Sequence, residues 1–259
     1  MKAVTPKKKL GQHFLNDLNI AEKITNQPFI KHGKNVLEIG PGMGVLTNFL
    51  IKKKINLKLI EIDNEAVSFL IEKFPILKNK IISGNFITME LKTFFGQENF
   101  SIIGNFPYNI SSQIVFKTLE NRDLIPFFCG MFQKEVAKRI CEKPGSKAYG
   151  IISVLCQIFY HTEYLFSVAP LVFSPPPKVD SGVIALTRKT NLSKDFDEKL
   201  LFKVVKLSFQ QRRKTLRNSL KSLGIPKYIL EDSIFDLRPE KLSGDEFIEL
   251  TKKVENAKV

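Results

Sequence analysis

Several features that would place the chain in a particular class of protein are missing from its sequence. The 259 residues contain no apolar run of about 18 residues, which is the length that a membrane-spanning helix needs. The first ten residues are rich in lysine, but no apolar stretch follows them, so they are not a secretory signal. Internal repeats and low-complexity tracts are also lacking. The sequence therefore predicts a globular protein that does not enter a membrane.

Cysteine and histidine are scarce. The cysteines, Cys129, Cys141 and Cys156, are odd in number and contain no Cys-x-x-Cys pair, which is typical of reduced thiols in a cytoplasmic compartment. Only three histidines occur, and no Cys or His lies at a spacing that would help His13 to bind a metal. We therefore expect a cytoplasmic protein without a metal site.

Acidic residues are absent from one long stretch. Between Lys199 and Leu230 there is no Asp or Glu, whereas Lys and Arg recur. The whole chain has a net charge of +14 and a pI of about 9.6. A general enrichment in surface lysine would explain the net charge, but a solvated helical face normally carries charges of both signs. The distribution therefore favours a polyanionic partner.

The most specific chemistry lies in the stretch Asn105-Phe106-Pro107-Tyr108. It follows an apolar run, residues 100–104, that is typical of a buried parallel strand. It precedes a helical pattern for which Ser111 or Ser112 is the predicted N-cap. The stretch is thus expected in a strand-to-helix loop at the carboxyl end of a strand, where open α/β sheets bind ligands.

The side chains of this loop match the needs of an exocyclic amine. Asn105 offers an amide, and Pro107 stiffens the backbone so that its carbonyls can point into a site. Tyr108 adds a flat aromatic face. Two acceptors and a ring are what an NH2 group on a planar base requires. The alternative is that Asn105 only caps the next helix and Tyr108 is a core residue.

A second ligand-binding pattern lies near the start of the chain. A predicted strand, residues 35–39, leads into Gly40-Pro41-Gly42-Met43-Gly44 and then into a helix, which is the layout of a nucleotide site. Glu38 would repel a pyrophosphate and would suit an ammonium group, which favours S-adenosylmethionine over NAD. Glu61 ends the next strand at the spacing of an acid that binds ribose hydroxyls. A plain glycine turn is the alternative interpretation.

The rest of the chain alternates between strand and helix patterns up to about residue 190. A third strand leads to Asn85, which could contact a cofactor adenine or could be an ordinary turn residue. Three consecutive prolines after Phe173 make a stiff loop that would fix this ring in place. A closing strand, residues 183–186, follows. This order predicts an α/β fold whose mostly parallel sheet is covered on both faces.

The pattern becomes entirely helical after residues 189–195. One helix is predicted to begin with Asp195 and Glu198 as a capping box. A second is predicted to carry two stripes, one apolar and one basic (Leu216, Leu220, Leu223; Arg213, Arg217, Lys221). We therefore predict two domains, residues 1–190 and residues 191–259, with the second one binding the polyanion.

Taken together, these motifs resemble those of the ribosomal RNA adenine dimethyltransferase family over essentially the whole chain. The resemblance is carried by residues 10–15 (Leu-Gly-Gln-His-Phe-Leu), 37–42, 61–63, 105–111, 173–181 and 211–218 (Gln-Arg-Arg-Lys-Thr-Leu-Arg-Asn). The Asn-x-Pro-Tyr stretch is shared with other enzymes that methylate amino groups. The last two segments are far more specific to this family.

The resemblance implies a Rossmann-like S-adenosylmethionine-dependent methyltransferase domain followed by a small all-helical domain. It implies a cofactor site of His13, Leu15, Gly40, Glu61, Asn85 and Asn105. It implies that the target adenine is held by Asn105, Pro107 and Tyr108, with Phe173 stacked on its other face. RNA would be bound by basic residues of the helical domain, namely Arg212, Arg213, Lys214, Arg217 and Lys221. The expected partner is small-subunit ribosomal RNA within the small subunit or its precursor, and the protein is expected to act as a monomer.

Two residues depart from the usual pattern of the family. Asn85 stands where Asp is usual, and Phe106 stands where Leu is usual. An Asn carbonyl can still accept from a cofactor amino group, so we expect weaker cofactor binding and not a loss of function. Three other readings stay open: methylation of large-subunit RNA, a binding factor on a retired methyltransferase fold, and methylation of DNA.

Overall fold

The computed structural model describes residues 4–192 and 195–256. Packing divides these residues into two units. The first, here called the sheet unit, comprises residues 4–137 and 162–188. The second, the helical unit, comprises residues 138–161 with 189–192 and 195–256. The chain thus passes from the sheet unit to the helical unit, returns, and then ends in the helical unit.

Nine strands occur in the described residues, and seven of them form one sheet in the order β4-β3-β2-β5-β6-β9-β7. β1 and β8 form a separate antiparallel pair in which Leu15 lies opposite Phe173. The strand bounds are β1 (Phe14–Leu15), β2 (Asn35–Ile39), β3 (Asn56–Glu61), β4 (Ile81–Ser83), β5 (Ser101–Asn105), β6 (Phe127–Gln133), β7 (Tyr160–Val168), β8 (Phe173–Ser174) and β9 (Ser181–Arg188).

The sheet is mostly parallel, as predicted. β2 pairs in parallel with β3 and with β5, and β3–β4 and β5–β6 are parallel as well. β9 then pairs antiparallel with β6. The central strands are apolar and buried along nearly their whole length, because helices cover both faces of a parallel sheet. The carboxyl ends of β2, β3 and β5 therefore meet at one edge.

Eleven α-helices occur in the described residues. Their bounds are α1 (Leu18–Thr25), α2 (Thr47–Leu50), α3 (Asn64–Lys73), α4 (Lys92–Phe95), α5 (Ser111–Glu120), α6 (Lys134–Cys141), α7 (Ile151–Phe159), α8 (Glu198–Gln210), α9 (Leu216–Ser219), α10 (Lys227–Leu230) and α11 (Gly244–Asn256). None of them is long and apolar enough to span a lipid bilayer.

Two of the predicted helix caps are wrong. The N-cap of α5 is Ile110, whose apolar side chain makes no cap. The predicted cap Ser111 is the first residue inside the helix, and its hydroxyl donates to the Tyr108 carbonyl at 3.1 Å. The N-cap of α8 is Asp197, whose carboxylate accepts from the Leu200 amide at 3.1 Å. The predicted cap Asp195 instead forms an ion pair with Lys252 at 2.9 Å.

The helical unit is built around α7, α8 and α11, which pack on one another. Aromatic side chains join them: Phe159 of α7 stacks on Phe202 of α8, with ring centroids 6.1 Å apart. Residues 138–161 therefore pack with the C-terminal helices, whereas the sequence places a single division at residue 190. An amphipathic pattern shows that a helix buries one face, but not which unit it buries that face against.

The second long helix predicted in this unit is not continuous. α8 ends at Gln210, and residues 211–214 form a turn, closed by the Lys214 amide donating to the Gln211 carbonyl at 2.8 Å. α9 and a 3-10 turn at Lys221–Leu223 follow, and Gly224 ends the segment with φ of +66°. The apolar stripe is nevertheless buried at Leu216 and Leu220, so the periodicity identified the inward face but not the breaks.

Candidate functional site

A cavity of about 680 Å³, open to solvent, lies at the edge of the sheet unit where β2, β3 and β5 end. The loops that follow these strands and the N-terminal segment line it together. Seven of the residues predicted for the cofactor and the adenine line this cavity: His13, Leu15, Gly40, Glu61, Asn105, Pro107 and Tyr108. Two predicted patterns far apart in sequence thus meet in one site.

The glycine loop turns tightly beneath this cavity. Gly40 and Gly42 have φ of +64° and +55°, a region that L-residues with side chains rarely adopt. A Cβ at Gly42 would lie 2.8 Å from Phe14. Glycine is therefore required here both by the backbone and by the N-terminal segment that packs on the loop. The bare backbone leaves the cavity open to a ligand.

Glu61 is 5% exposed at the end of β3 and is bonded to backbone amides. Its Oε2 accepts from Gly42 at 3.1 Å, and its Oε1 accepts from Ile62 and Asp63 at 2.9 and 3.0 Å. Burial raises the pKa of this carboxyl, and the three amide donors oppose that rise. A carboxylate has about four lone-pair sites, so one on Oε2 stays available to a ligand hydroxyl. The geometry fits a ribose.

Glu38 also lines the cavity but is almost completely buried. Its Oε2 accepts from the Thr47 hydroxyl at 2.7 Å. Burial raises its pKa to about 8, partly offset by the bond from Thr47 and assisted by the nearby Glu61. Without a cation beside it, Glu38 is therefore mostly protonated at neutral pH. A positively charged group in the cavity would favour its ionised form.

Asn105, the last residue of β5, is held in one orientation. Its Nδ2 donates to the His13 carbonyl at 3.0 Å, so its Oδ1 is left as the acceptor of the amide. The His13 ring stacks on Tyr108, with centroids 5.3 Å apart and an angle of 29°. His13 Nδ1 lies 2.7 Å from the Pro175 carbonyl, which ties this ring to the proline-rich loop. His13 thus links the loop of Asn105 and Tyr108 to the proline-rich loop.

Tyr108 is fixed at its other end by a buried serine. Its hydroxyl lies 2.6 Å from the hydroxyl of Ser181, the fully buried first residue of β9. Burial raises the pKa of Tyr108, and the bond to Ser181 opposes the rise. The Pro107 carbonyl accepts from the Ile110 amide at 3.2 Å and keeps a second lone pair for a ligand. The ring plane and the carbonyl are both positioned before any ligand arrives.

Phe106 anchors the loop from below. It is 1% exposed and packs against Phe128 and Phe132, with centroids 5.1 and 5.2 Å away. A Cβ at Gly130 would lie 1.9 Å from this ring, and one at Gly104 would lie 2.6 Å from it. The two glycines on neighbouring strands thus leave the space that the large side chain fills. Phe in place of the usual Leu is accommodated in the core and leaves the polar groups of the loop in place.

The N-terminal segment, residues 4–13, is bonded to a buried carboxylate. Lys7 forms an ion pair with Asp63, and the Gln12 amide donates to Asp63 at 3.0 Å. Lys7 also lies 3.3 Å from Glu65, and Val4 is buried in a small apolar cluster. This segment forms one wall of the cavity. Lys7 is bonded to protein, whereas Lys8 and Lys9 are exposed.

Two predicted site residues lie outside the lining of the cavity. Asn85 accepts from the Ile87 amide at 2.9 Å, which is the bond of a turn asparagine. Phe173 is 3% exposed and belongs to the hydrophobic core of the sheet unit. The resemblance to the family places both beside the ligand, but a sequence motif does not determine which way a side chain points.

The basic residues predicted to bind RNA all belong to the helical unit, but their surroundings differ. Arg213, Lys214 and Lys221 are exposed. Arg217 donates from Nη2 and Nε to the same oxygen of Asp236, Oδ1, at 2.7 and 3.1 Å. Arg212 is half-buried and donates to the Ser146 carbonyl at 3.0 Å. Lys214 and Lys221 line a polar groove with Gln211, Asn218, Ser219 and Ser222.

The sheet with its glycine loop, the ribose-type acid and the Asn-x-Pro-Tyr loop around one cavity define a methyltransferase that uses S-adenosylmethionine. Comparison with known proteins narrows the class. The family described as ribosomal RNA adenine dimethylase matches residues 3–252. A ribosomal RNA small subunit methyltransferase A from Flavobacterium johnsoniae is 60% identical over 255 residues, 98% of each chain. The protein of that name from Bacteroides thetaiotaomicron is 54% identical over 258 residues, 99% of this chain and 97% of its own. The chain belongs to the ribosomal RNA adenine dimethylase family.

Solved structures agree with this assignment. A dimethyladenosine transferase from Plasmodium falciparum superposes with a TM-score of 0.82 at 26% identity, over 95% of this chain and 99% of that one. The 23S rRNA methyltransferase ErmE has the same fold, with a TM-score of 0.63 at 24% identity, over 98% and 100% of the two chains. The predicted fold class is confirmed.

Several residues that shape the site were not identified from the sequence as having that role. Ser181, Asp63 and the carbonyl of His13 hold the residues that face the cavity. Ser181 and Asp63 were seen within recognised motifs, but their partners lie 73 and 51 residues away along the chain. No local pattern indicates such pairs.

Among the described residues, no group of three or more His, Cys, Asp or Glu could hold a metal.

Proposed function

We propose that this protein transfers methyl groups from S-adenosylmethionine to N6 of two adjacent adenines in a loop near the 3′ end of small-subunit ribosomal RNA, during biogenesis of the small subunit. The observation that carries the proposal is the oriented Asn105 amide beside Tyr108 in the same cavity as the glycine loop and Glu61. The relatives named small subunit methyltransferase A, at 54–60% identity over nearly the whole chain, support the choice of RNA.

The residues of the cavity fit the cofactor. We assign the ribose to the free lone pair of Glu61, and the amino acid portion to the glycine loop and Glu38. His13, Leu15 and the Asn105 backbone complete the wall. When bound, the cofactor supplies an activated methyl group. Asn85 is retained as a candidate contact, and its effect is measurable by comparing cofactor affinity before and after Asn85→Asp.

The chain supplies acceptors and not a base. An adenine amine is a poor nucleophile because its lone pair is delocalised into the ring. Asn105 Oδ1 and the Pro107 carbonyl would accept its two N–H groups, which favours a pyramidal nitrogen with its lone pair directed out of the ring plane. Tyr108 would hold the ring by stacking. Positioning of this kind supplies much of the rate of a group transfer, and no residue of the loop is a strong base.

The target base must leave its stack to enter the cavity, so an unpaired loop adenine is the natural substrate. We assign RNA binding to the helical unit, whose exposed residues Arg213, Lys214 and Lys221 would contact phosphates. Phe173 would stack on the base only after leaving its place in the core, and its assignment stays a proposal. We further propose that the protein works as a cytoplasmic monomer.

The test is methyl transfer from tritiated S-adenosylmethionine to small ribosomal subunits that lack the modification. Large subunits and naked RNA are assayed in parallel, and the labelled RNA is digested to nucleosides. We expect dimethyladenosine in small-subunit RNA alone. Label in large-subunit RNA would favour the ErmE-like alternative. RNA binding without any methyl transfer would instead favour an RNA-binding factor that has lost its catalytic activity.

A further inference from the structure

The loop Lys143–Lys147, which precedes α7, is packed beside the turn 211–214 in the helical unit. Three contacts fix it. Arg212 donates to the Ser146 carbonyl at 3.0 Å, and the Gly145 amide donates to the Glu240 carbonyl at 2.6 Å. Tyr149, fully buried just after the loop, packs edge-on against Phe209 near the end of α8, with centroids 6.4 Å apart.

The loop presents positive charge and little else. Lys143 and Lys147 are exposed, and neither forms an ion pair with another described residue. Gly145, at the tip with φ of +93°, has nothing within 4 Å of where a Cβ would stand. The loop thus projects into open space with one lysine on each side of its tip.

Two acidic residues contact the loop, and neither forms an ion pair with these lysines. The Oε1 of Glu142 accepts a hydrogen bond from the backbone amide of Lys143 at 3.3 Å. Glu240 has its Oε2 enclosed within the unit, away from the surface. On the other side of the contact, Arg213 and Lys214 are exposed in a stretch without acidic residues. The loop and the turn therefore form one basic surface built from two distant parts of the chain.

We propose that the loop Lys143–Lys147 is a second RNA-binding element, and that Arg212 is the positioning residue that holds it against the turn 211–214. The occupant is the phosphate backbone of RNA, because the unpaired ammonium groups of Lys143 and Lys147, with the exposed Arg213 and Lys214 beside them, recognise negative charge. The inference extends the proposed function to residues that the sequence assigned to the methyltransferase domain.

The test compares Lys143→Ala/Lys147→Ala with the wild-type protein by fluorescence anisotropy on a labelled RNA stem-loop, over a range of salt concentrations. Loss of two phosphate contacts should lower the slope of log affinity against log salt by about 1.4–1.8, and weaken binding roughly tenfold at 0.15 M salt. The control is Lys31→Ala/Lys34→Ala, which removes two exposed lysines just before β2, at the opposite edge of the sheet from the cavity. The control should match the wild-type protein.

The role of Arg212 is tested in a double-mutant cycle. In an Arg212→Ala background, the loss of RNA affinity caused by Lys143→Ala/Lys147→Ala should be several-fold smaller than in the wild-type background. In an Arg213→Ala background, this loss should be undiminished. A salt slope equal to that of the wild-type protein in the loop variant would overturn the proposal. So would a loop variant no weaker than the lysine control. Thermal melting verifies that each variant is folded.

The outcome for the loop is separable from that of the proposed function. If the wild-type protein methylates small subunits and the loop variant keeps its salt slope, this inference fails and the proposed function stands. If the wild-type protein methylates no RNA, the proposed function fails, and the slope still decides whether the loop binds RNA.

Discussion

At the residue scale, the orientation of Asn105 follows from a single bond to the main chain of the N-terminal segment. Asn105→Asp cannot donate to the His13 carbonyl and would place two like oxygen dipoles together. We expect Asn105→Asp and Asn105→Ala each to reduce methyl transfer by at least about 100-fold, the scale of losing a positioned polar group. RNA affinity, measured by anisotropy, should stay within twofold. A parallel loss of RNA binding would show that the substitution had unfolded the loop.

The bond between Tyr108 and Ser181 predicts a coupled pair. Tyr108→Phe and Ser181→Ala remove the same bond from opposite ends, so each should lower kcat by about 3- to 10-fold, for a bond of about 1 kcal/mol. The double variant should be no worse than either single variant. Ser181→Thr, which keeps the hydroxyl, should recover most of the activity. Fully additive losses in steady-state assays would show that the two side chains act separately.

Glu38 should make stability depend on pH. Its pKa is about 8 in the folded protein and near the ordinary 4.5 when unfolded, so the protonated form stabilises the fold. That contribution is complete below pH 4.5 and is lost as the pH rises through 8. It amounts to at most about 5 kcal/mol. Without cofactor, the free energy of unfolding should fall more between pH 6 and pH 9 in the wild-type protein than in Glu38→Gln. Urea titrations at both pH values measure this, and equal falls would contradict it.

At the scale of elements, the position of the N-terminal segment depends on its bonds to the carboxylate of Asp63. Burial alone would raise the pKa of Asp63, but the bonds from Lys7 and Gln12 bring it below its usual range. Its stabilising effect is therefore present above pH 3.8 and is lost as the pH falls through the folded value. The wall of the cavity is thus stable at neutral pH and is released by acid.

Lys7→Met should loosen this segment. Because Asp63 would lose its cation, we expect roughly tenfold faster chymotryptic cleavage after Phe14 and several-fold weaker cofactor binding. Lys8→Met is the matched control, since Lys8 is exposed and adjacent. Identical behaviour of the two variants in proteolysis and calorimetry would show that the ion pair does not hold the segment.

Elements were predicted best where the chain itself contains the reason for them. The strands that end at Ile39, Glu61 and Asn105 are apolar runs followed by turn residues, and they carry the site at their ends. The second predicted helix was too long, because its apolar period at Leu216, Leu220 and Leu223 continues past the end of α9 into a 3-10 turn. Phe173 lies in the core because β8 pairs with β1, a contact between segments more than 150 residues apart. Such pairings are decided by tertiary packing, which a local pattern does not contain.

At the scale of the whole molecule, the proposed function assigns RNA binding to the helical unit and methyl transfer to the sheet unit. Arg213→Ala should raise KM for small subunits about 5-fold and leave kcat within twofold, because a phosphate contact adds to binding and not to the chemical step. Arg217→Ala should change KM less, since its guanidinium is already paired with Asp236. Steady-state assays at fixed salt measure both. If Arg217→Ala raised KM more than Arg213→Ala does, Arg217 would be shown to contact the RNA despite its bond to Asp236.

The ring of Phe106 and the bare backbones of Gly104 and Gly130 have a consequence for how this sequence can change over time. Any side chain at position 130 would overlap the ring, and its Cβ would also lie 2.8 Å from the Gly104 carbonyl oxygen, so a larger residue there requires both a smaller side chain at position 106 and a shift of the neighbouring strand. The reverse substitution, to Phe in a relative that carries Leu, would need glycine at position 130 beforehand. The order of mutation is thereby constrained, and drift at one of these positions is permitted or forbidden by the state of the other.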